Sequence, residues 1–275
     1  MTTQDRIKNA FLCQAIADGM GEGFEFQDPT LQEVRGFINS SAPIHITDDT
    51  QMTLFGQEAV NSFTGLDDVD LIRSAYVRWF LTQHKTNSPS GLGVRPEMLV
   101  RRAPGNQCLA ALGAITGGRQ AHTSDGAGCG GVMRLLPFTA LYLTRGEEVA
   151  REMAQQSSAI THSHPRAIQA VNDLMDVAIF LMQGGNRFEL NMQAKDISDL
   201  GQGWVADECV WMATWAVSKA LNYDHLLELA ITHKGDSDSV AAVAGALWGL
   251  AGLSGYERHL SRLVEVDAVL SVIAQ

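Results

Sequence analysis

Cysteine is scarce in this chain. The four thiols, Cys13, Cys108, Cys129 and Cys209, are scattered and form no CxxC pair. That excludes a disulfide-stapled secreted scaffold and a cysteine-ligated zinc site, and favours a reducing, cytoplasmic setting. Basic residues are also few: 20 Lys plus Arg stand against 31 Asp plus Glu, a net charge of -11. A protein that binds nucleic acid by neutralising phosphates carries the opposite sign, so no nucleic-acid surface is expected. Alternating Val, Ile and Thr runs and Asn-Gly hairpins are lacking, which argues against a β-sheet protein. Neither GxxxxGK[ST] nor GxGxxG occurs, removing the Walker and Rossmann phosphate loops. Asp5, Lys8, Asn9 and Gln14 interrupt the first twenty residues, so no signal peptide is expected. One uncharged run, Ser239 to Tyr256, spans 18 residues. It is rich in alanine and glycine and follows Asp236 and Asp238 directly, so it reads as a buried core helix rather than a membrane span.

What remains is helical. Ile7, Ala10, Phe11 and Gln14-Ala15 open an amphipathic segment running to about Asp18, and Val69, Ile72, Tyr76, Trp79 and Phe80 repeat at helical spacing. Arg166 to Met182 is a third such segment, with Pro165 in its first turn and Gly184-Gly185 closing it. Ala206 to Ala220 carries Asp207 and Glu208 at its start and Lys219 at its end, as the helix dipole prefers. Asp224 to His233 is shorter. Thr86 to Gly93, rich in Ser, Pro and Gly, reads as a surface loop. With 275 residues, 45% hydrophobic and 19% charged, the expectation is one nearly all-α domain over residues 1–275.

Polar clusters interrupt the helices. Thr47-Asp48-Asp49-Thr50-Gln51 precedes an apolar helical run, and Gly235-Asp236-Ser237-Asp238-Ser239 precedes another. Helix capping uses these residue types, but one cap needs one side chain, and both loops hold more acid than that. Were the loops to meet, their carboxylates would raise one another's pKa values unless a cation compensated. Hard oxygen donors without His or Cys at ligand spacing suit Mg²⁺ or Mn²⁺ rather than zinc. Ser124 to Arg134 contains Asp125, Gly126, Gly128, Cys129, Gly130, Gly131 and Val132. It reads either as a tight turn or as a nest of amide donors for phosphate. His162, in Thr161-His162-Ser163-His164-Pro165, is either part of a helix start or a contact to ribose or phosphate. Glu25 lies between Phe24 and Phe26, an apolar setting that would raise its pKa and make it a candidate acid/base group. Trp204 stands beside glycines and is a candidate substrate platform, whereas Trp211 and Trp215 fit core positions at helical spacing.

Taken in order, these motifs resemble the ADP-ribosylglycohydrolase family, which includes the dinitrogenase-reductase-activating glycohydrolase and the ADP-ribosylarginine hydrolases. The resemblance runs from about residue 10 to residue 253. It is carried by the Asp18–Phe26 turn, Thr47 to Gln51, Arg102-Ala103-Pro104-Gly105-Asn106, Gly128 to Arg134, Thr161 to Pro165, Gly203-Trp204 and Gly235 to Ser239. It implies a compact, orthogonal multi-helix bundle around a dinuclear metal cleft holding two Mg²⁺, with Mn²⁺ as the alternative. Thr47, Asp48 and Asp49 match the first ligand set, and Asp236, Asp238 and Ser239 the second. Glu25 matches a glutamate beside the metal and the scissile bond. With Asp48, Asp49 and Asp238 it makes up the implied catalytic set. Gly128 to Val132 matches the loop around the diphosphate, His162 a histidine near the ribose–phosphate, and Asp125 an acidic residue near the reacting ribose. Cys129 departs from the pattern, standing where many members have Asn in a Gly-Asn-Gly loop.

The function so implied is metal-dependent removal of ADP-ribose from modified protein side chains, foremost N-linked ADP-ribosylarginine. A second reading is an immunity protein that neutralises an ADP-ribosyltransferase toxin by covering it, with Thr86 to Gly93 and the N-terminal residues as candidate contacts. An isoprenoid synthase is disfavoured. Its DDxxD would need Asp where Met52 stands, and its second motif fails at Asp176 and Phe180.

Overall fold

The structure, a computed structural model, describes residues 1–64, 68–86, 90–190 and 192–273. Among these residues the chain forms thirteen α-helices. They are α1 (Thr3–Gly21), α2 (Leu31–Ile38), α3 (Asp48–Val60), α4 (Val69–Gln83), α5 (Asn106–Thr116), α6 (Leu136–Ala140), α7 (Tyr142–Arg145), α8 (Glu147–Ala159), α9 (Pro165–Met182), α10 (Ala206–Lys219), α11 (Tyr223–Ile231), α12 (Ser237–Leu250) and α13 (Val266–Ile273). Two isolated bridges, Ile44 with Leu263 and Gly128 with Val205, are the β-pairing found among the described residues. The fold is all-α.

Two helices make its centre. Every residue of α1 from Ala10 to Gly21 is buried, as is all of α12. They approach closely because small residues face each other. A Cβ on Gly245 would lie 2.5 Å from the Cys13 carbonyl oxygen, and one on Gly249 would meet the Ala10 backbone. At the other end of the seam, a Cβ on Gly21 would lie 2.6 Å from Asp238 Cα. Glycine and alanine therefore set the helix separation, and that separation brings the C-terminus of α1 to the N-terminus of α12. The Ala/Gly run is a buried helix as far as Leu250; its last six residues, Ala251 to Tyr256, leave the helix, with Ser254 and Gly255 exposed. Among the described residues no helix is long and apolar enough to cross a membrane.

The same corner receives α3. Asp18, in the last turn of α1, accepts from the Thr47 amide at 2.9 Å and the Thr47 hydroxyl at 2.6 Å. It also accepts from the Thr50 amide at 3.2 Å and the Thr50 hydroxyl at 2.5 Å. One carboxylate thus satisfies the free donors of a helix N-terminus and fixes α3 against α1. The glycine-rich loop is tied to the Trp204 segment by Cys129 N–H to Trp204 O, 3.1 Å, and Ala206 N–H to Ala127 O, 2.9 Å. That segment is tied in turn to α12 by Asp236 N–H to Gln202 O, 2.8 Å.

The periodic segments end close to where the pattern places them, α9 opening at Pro165 and α10 closing at Lys219. Of the Thr86–Gly93 loop, residues 87–89 lie outside the described residues. Its end is a 3-10 turn, Gly91–Val94, in which Leu92 is buried and its amide donates to Glu58 Oε1 at 2.9 Å.

Candidate active site

A cleft of about 370 Å³ opens where α1, α3 and α12 converge. Its floor is acidic. One carboxylate oxygen each from Asp18, Asp49 and Asp238 lie within 4.8 Å of one another, and so do oxygens from Glu25, Asp236 and Asp238. Asp238 belongs to both groups. Asp48 lines the same cleft and accepts from the Gly105 amide at 3.2 Å. The two acidic loops, far apart in sequence, therefore meet.

Capping explains only part of this acid. Thr47 caps α3 through the Asp49 amide, and Asp236 caps α12 through the Ser239 amide. Asp49 Oδ1 is buried and has no hydrogen-bond partner. Burial, first, and the neighbouring Asp238 hold the Asp49 carboxyl well above its ordinary range, and the same two causes act on Asp236. Burial dominates for Asp48 and Asp238 as well. The Asp18 carboxyl is pushed up to about 7 by burial and then by Asp238. Buried carboxylates crowded together, one with an orphaned oxygen, form an oxygen-only donor set that fits a hard divalent cation and is poorly satisfied without one.

Glu25 is half-buried, and its carboxyl is pushed up to about 8 by burial, then by Asp238, Glu22 and Asp18. The two flanking phenylalanines do not sandwich it. Phe24 packs edge-on to Phe37 with centroids 5.8 Å apart, whereas Phe26 turns outward, 74% exposed. Burial and its acidic neighbours, not an apolar sandwich, account for the shift.

Gly128, Cys129, Gly130 and His162 line the same cleft. Gly130 is required by proximity, since a Cβ there would lie 2.8 Å from His162 Cε1. The two histidines of the Thr161–Pro165 motif part company: His164 caps α9 by accepting from the Arg166 amide, and His162 lines the cleft. Beneath them the guanidinium of Arg134 is fully buried. It donates to Thr161 Oγ1 at 2.7 Å, Ser157 O at 3.1 Å and Cys108 Sγ at 3.4 Å, and it lies 4.4 Å from the Tyr76 ring centroid. The Cys129 thiol donates to Asp236 Oδ2 at 2.7 Å, so this loop residue touches the acidic cluster.

A family model described as ADP-ribosylglycohydrolase matches residues 1–186 and 181–274. The chain belongs to this family. The glycohydrolase is 26% identical over 296 aligned positions, covering 95% of its length and 77% of the relative, to ADP-ribosylarginine hydrolase Tri1 of Pseudomonas putida (strain GB-1). A solved structure titled ADP-ribosylglycohydrolase-related protein complex shares its fold, with a TM-score of 0.72, 22% identity, and coverage of 98% of this chain and 96% of that one. The chain is thus a glycohydrolase enzyme.

Of the residues singled out in the sequence, Glu25, Asp48, Asp49, Asp236, Asp238, Ser239, Gly128, Cys129, Gly130, His162 and Trp204 line the one cleft. Thr47 is buried just behind it, bonded to Asp18. Asp125, Gly126, Gly131 and Val132 do not line it. Asp125 is exposed, Gly126 and Gly131 are buried against Thr161 and Ser158, and Val132 is in the core. Of the other tryptophans, Trp215 is buried but Trp211 is 37% exposed. Asp18 and Arg134 were not among the candidates. An aspartate in the last turn of a helix, against the helix dipole, was the available signal for the first. Nothing local marks the second as buried. The Ala103–Gln107 turn of the glycohydrolase forms the facing wall of the cleft, with Ala103 at φ 49°.

Proposed function

We propose that this glycohydrolase is divalent-cation dependent and cleaves the N-glycosidic bond between ADP-ribose and an arginine side chain of a modified protein. The observation that carries this reading is the buried acid cluster with its unpartnered Asp49 Oδ1, in one cleft with a glycine loop and His162. The arginine acceptor is supported by the name of the relative Tri1.

Thr47, Asp48 and Asp49 with Asp236, Asp238 and Ser239 would hold two cations, Mg²⁺ or Mn²⁺ by their donor type; Asp18 brings an oxygen close to those of Asp49 and Asp238, and Glu25 stands beside Asp236 and Asp238. Bound there, such ions supply positive charge for sugar hydroxyls and acidify water. The chain's own residues do the rest. The amides of Gly128 and Gly130 and the ring of His162 bind the diphosphate side, so that remote binding energy holds the ribose in register. Water attacks the anomeric carbon as the carbon–nitrogen bond breaks and its electron pair leaves with the guanidine. The cleft carboxylates stabilise the positive charge that develops on the sugar. Glu25, whose carboxylate form a cation among its acidic neighbours would favour, takes the proton from the attacking water. The four free thiols suit a cytoplasmic enzyme.

The test is release of ADP-ribose from an arginine-modified protein with Mg²⁺ or Mn²⁺ and after exhaustive chelation. Release that stops with chelator and returns with metal supports the reading, whereas full release in excess chelator refutes it. Asp238→Ala should abolish release. If this variant still protects cells from an ADP-ribosyltransferase, neutralisation proceeds by covering the toxin rather than by hydrolysis.

A further inference from the structure

Directly after Glu25 the backbone enters the left-handed region, with Phe26 at φ 62°. Bulky side chains avoid this conformation, and where it persists the surroundings enforce it. Here the Phe26 amide donates to Gly235 O at 3.2 Å, and Gln27 N–H closes the turn onto Phe24 O at 3.0 Å. The outcome is an exposed phenyl ring stacked on the Trp204 indole, with centroids 4.9 Å apart and 23° between planes. Both rings line the cleft beside Glu25.

The charge of the segment that carries Phe26 bears on the occupant of this aromatic face, although Lys234 adjoins Gly235 on the neighbouring stretch of chain. The segment Glu22-Gly23-Phe24-Glu25-Phe26-Gln27-Asp28 contains three acids and no base. An acidic surround repels phosphate and attracts a cation, and a π face adds to that attraction. The diphosphate is better served by the glycine loop, above the buried Arg134. A flat cation joined to the carbon next to Glu25 is the guanidinium of the acceptor arginine, which stacks on aromatic rings.

We propose that Phe26, backed by Trp204, is the recognition face for the acceptor guanidinium and thereby determines specificity for arginine-linked ADP-ribose. This rests on the hydrolytic reading above. The outer face of Phe26 receives the guanidinium plane while Glu25 attends the bond being broken.

The experiment is steady-state hydrolysis of an ADP-ribosylarginine peptide by wild type, Phe26→Leu, Phe26→Tyr and Phe26→Gly, with free ADP-ribose as product inhibitor. Phe26→Leu and Phe26→Gly should raise KM roughly 2- to 30-fold, by more than kcat falls, as expected for a lost cation–π contact. Phe26→Tyr should restore the wild-type KM, and the inhibition constant of ADP-ribose should stay within about twofold, because the nucleotide contacts are elsewhere. Phe26→Gly relieves the left-handed strain, so its Tm should not fall, which separates recognition from a structural role. An unchanged KM in Phe26→Leu overturns the proposal. ADP-ribose inhibition weakened in parallel with KM also overturns it, since the ring would then read the nucleotide. Wild type that spares arginine linkages but cleaves another linkage fails the function itself, and this is seen before any variant is made.

Discussion

His162 owes its charge state first to burial and its tautomer to Arg134. The buried guanidinium donates to Thr161 Oγ1, which lies 2.8 Å from His162 Nδ1. A hydroxyl whose lone pair is taken by Arg134 has its proton free for Nδ1, leaving the hydrogen on Nε2, the atom beside Gly128 and Gly130. Burial, then the charge of Arg134, presses the imidazole pKa down to about 3 from 6.5. The native ring is therefore a neutral donor beside Gly128 and Gly130. Above about pH 6.5 neither folded nor unfolded His162 is charged. Below it the unfolded chain binds a proton that the native ring refuses, so stability is lost as pH falls toward 3. In urea denaturation, His162→Gln should remove one contribution to the pH profile between pH 6.5 and 5, a loss of up to about 1.4 kcal/mol per pH unit as pH falls, seen as the difference between the variant and wild-type profiles. What remains in the variant comes from His233 and His259, which burial also holds low, and in the opposite sense from the cleft carboxyls that burial holds high. An unchanged slope would show that His162 is charged in the native protein. The sequence placed His162 at the site but could not give its charge state, because that depends on a guanidinium whose burial no local pattern reveals.

At the scale of elements, the helices were legible and their meeting was not. Apolar spacing, Pro165 and the Gly184-Gly185 stop placed α9, and the uncharged Ala/Gly run placed α12, because both signals are local. The pairing of α12 with α1 depends on Gly245 and Gly249 fitting against Ala10 and Cys13, a complementarity visible only once the helices are packed. The acidic motifs were ambiguous for a physical reason: Thr47 and Asp236 do cap their helices, so capping is true of them and does not by itself argue against a site. Two changes probe this seam. Gly21→Ala places a methyl group against Asp238 Cα and should cost about 1–3 kcal/mol of stability by overpacking. Because the displaced element carries Asp238, release of ADP-ribose should fall further than the lost folded fraction explains. Asp18→Ala strands the Thr47 and Thr50 donors at the start of α3 and should cost about 1–3 kcal/mol in chemical denaturation, with Asp18→Asn milder. Variants at wild-type stability would show that α3 needs no anchor from α1.

For the whole molecule, the excess of acid has a structural address. Asp18, Asp48, Asp49, Asp236 and Asp238 are each no more than 4% exposed, although buried carboxylates ordinarily pair with cationic side chains. Their mutual repulsion opposes folding, and a bound divalent cation would turn the same oxygens into a source of stability. The two contributions separate in one substitution. Asp49→Asn removes a buried charge of nearly the same shape, so in chelator it should melt above wild type. Saturating Mg²⁺ or Mn²⁺ should raise the wild-type Tm, by the equivalent of about 2.7 kcal/mol at a hundredfold excess over Kd. The gain for Asp49→Asn should be much smaller, so the order of the two proteins reverses when metal is added. Differential scanning calorimetry of both proteins, with and without cation, reads this crossing directly. Parallel curves with no crossing would mean that hydrogen bonds alone hold the carboxylates, and the cation-dependent reading would then fall together with its mechanism.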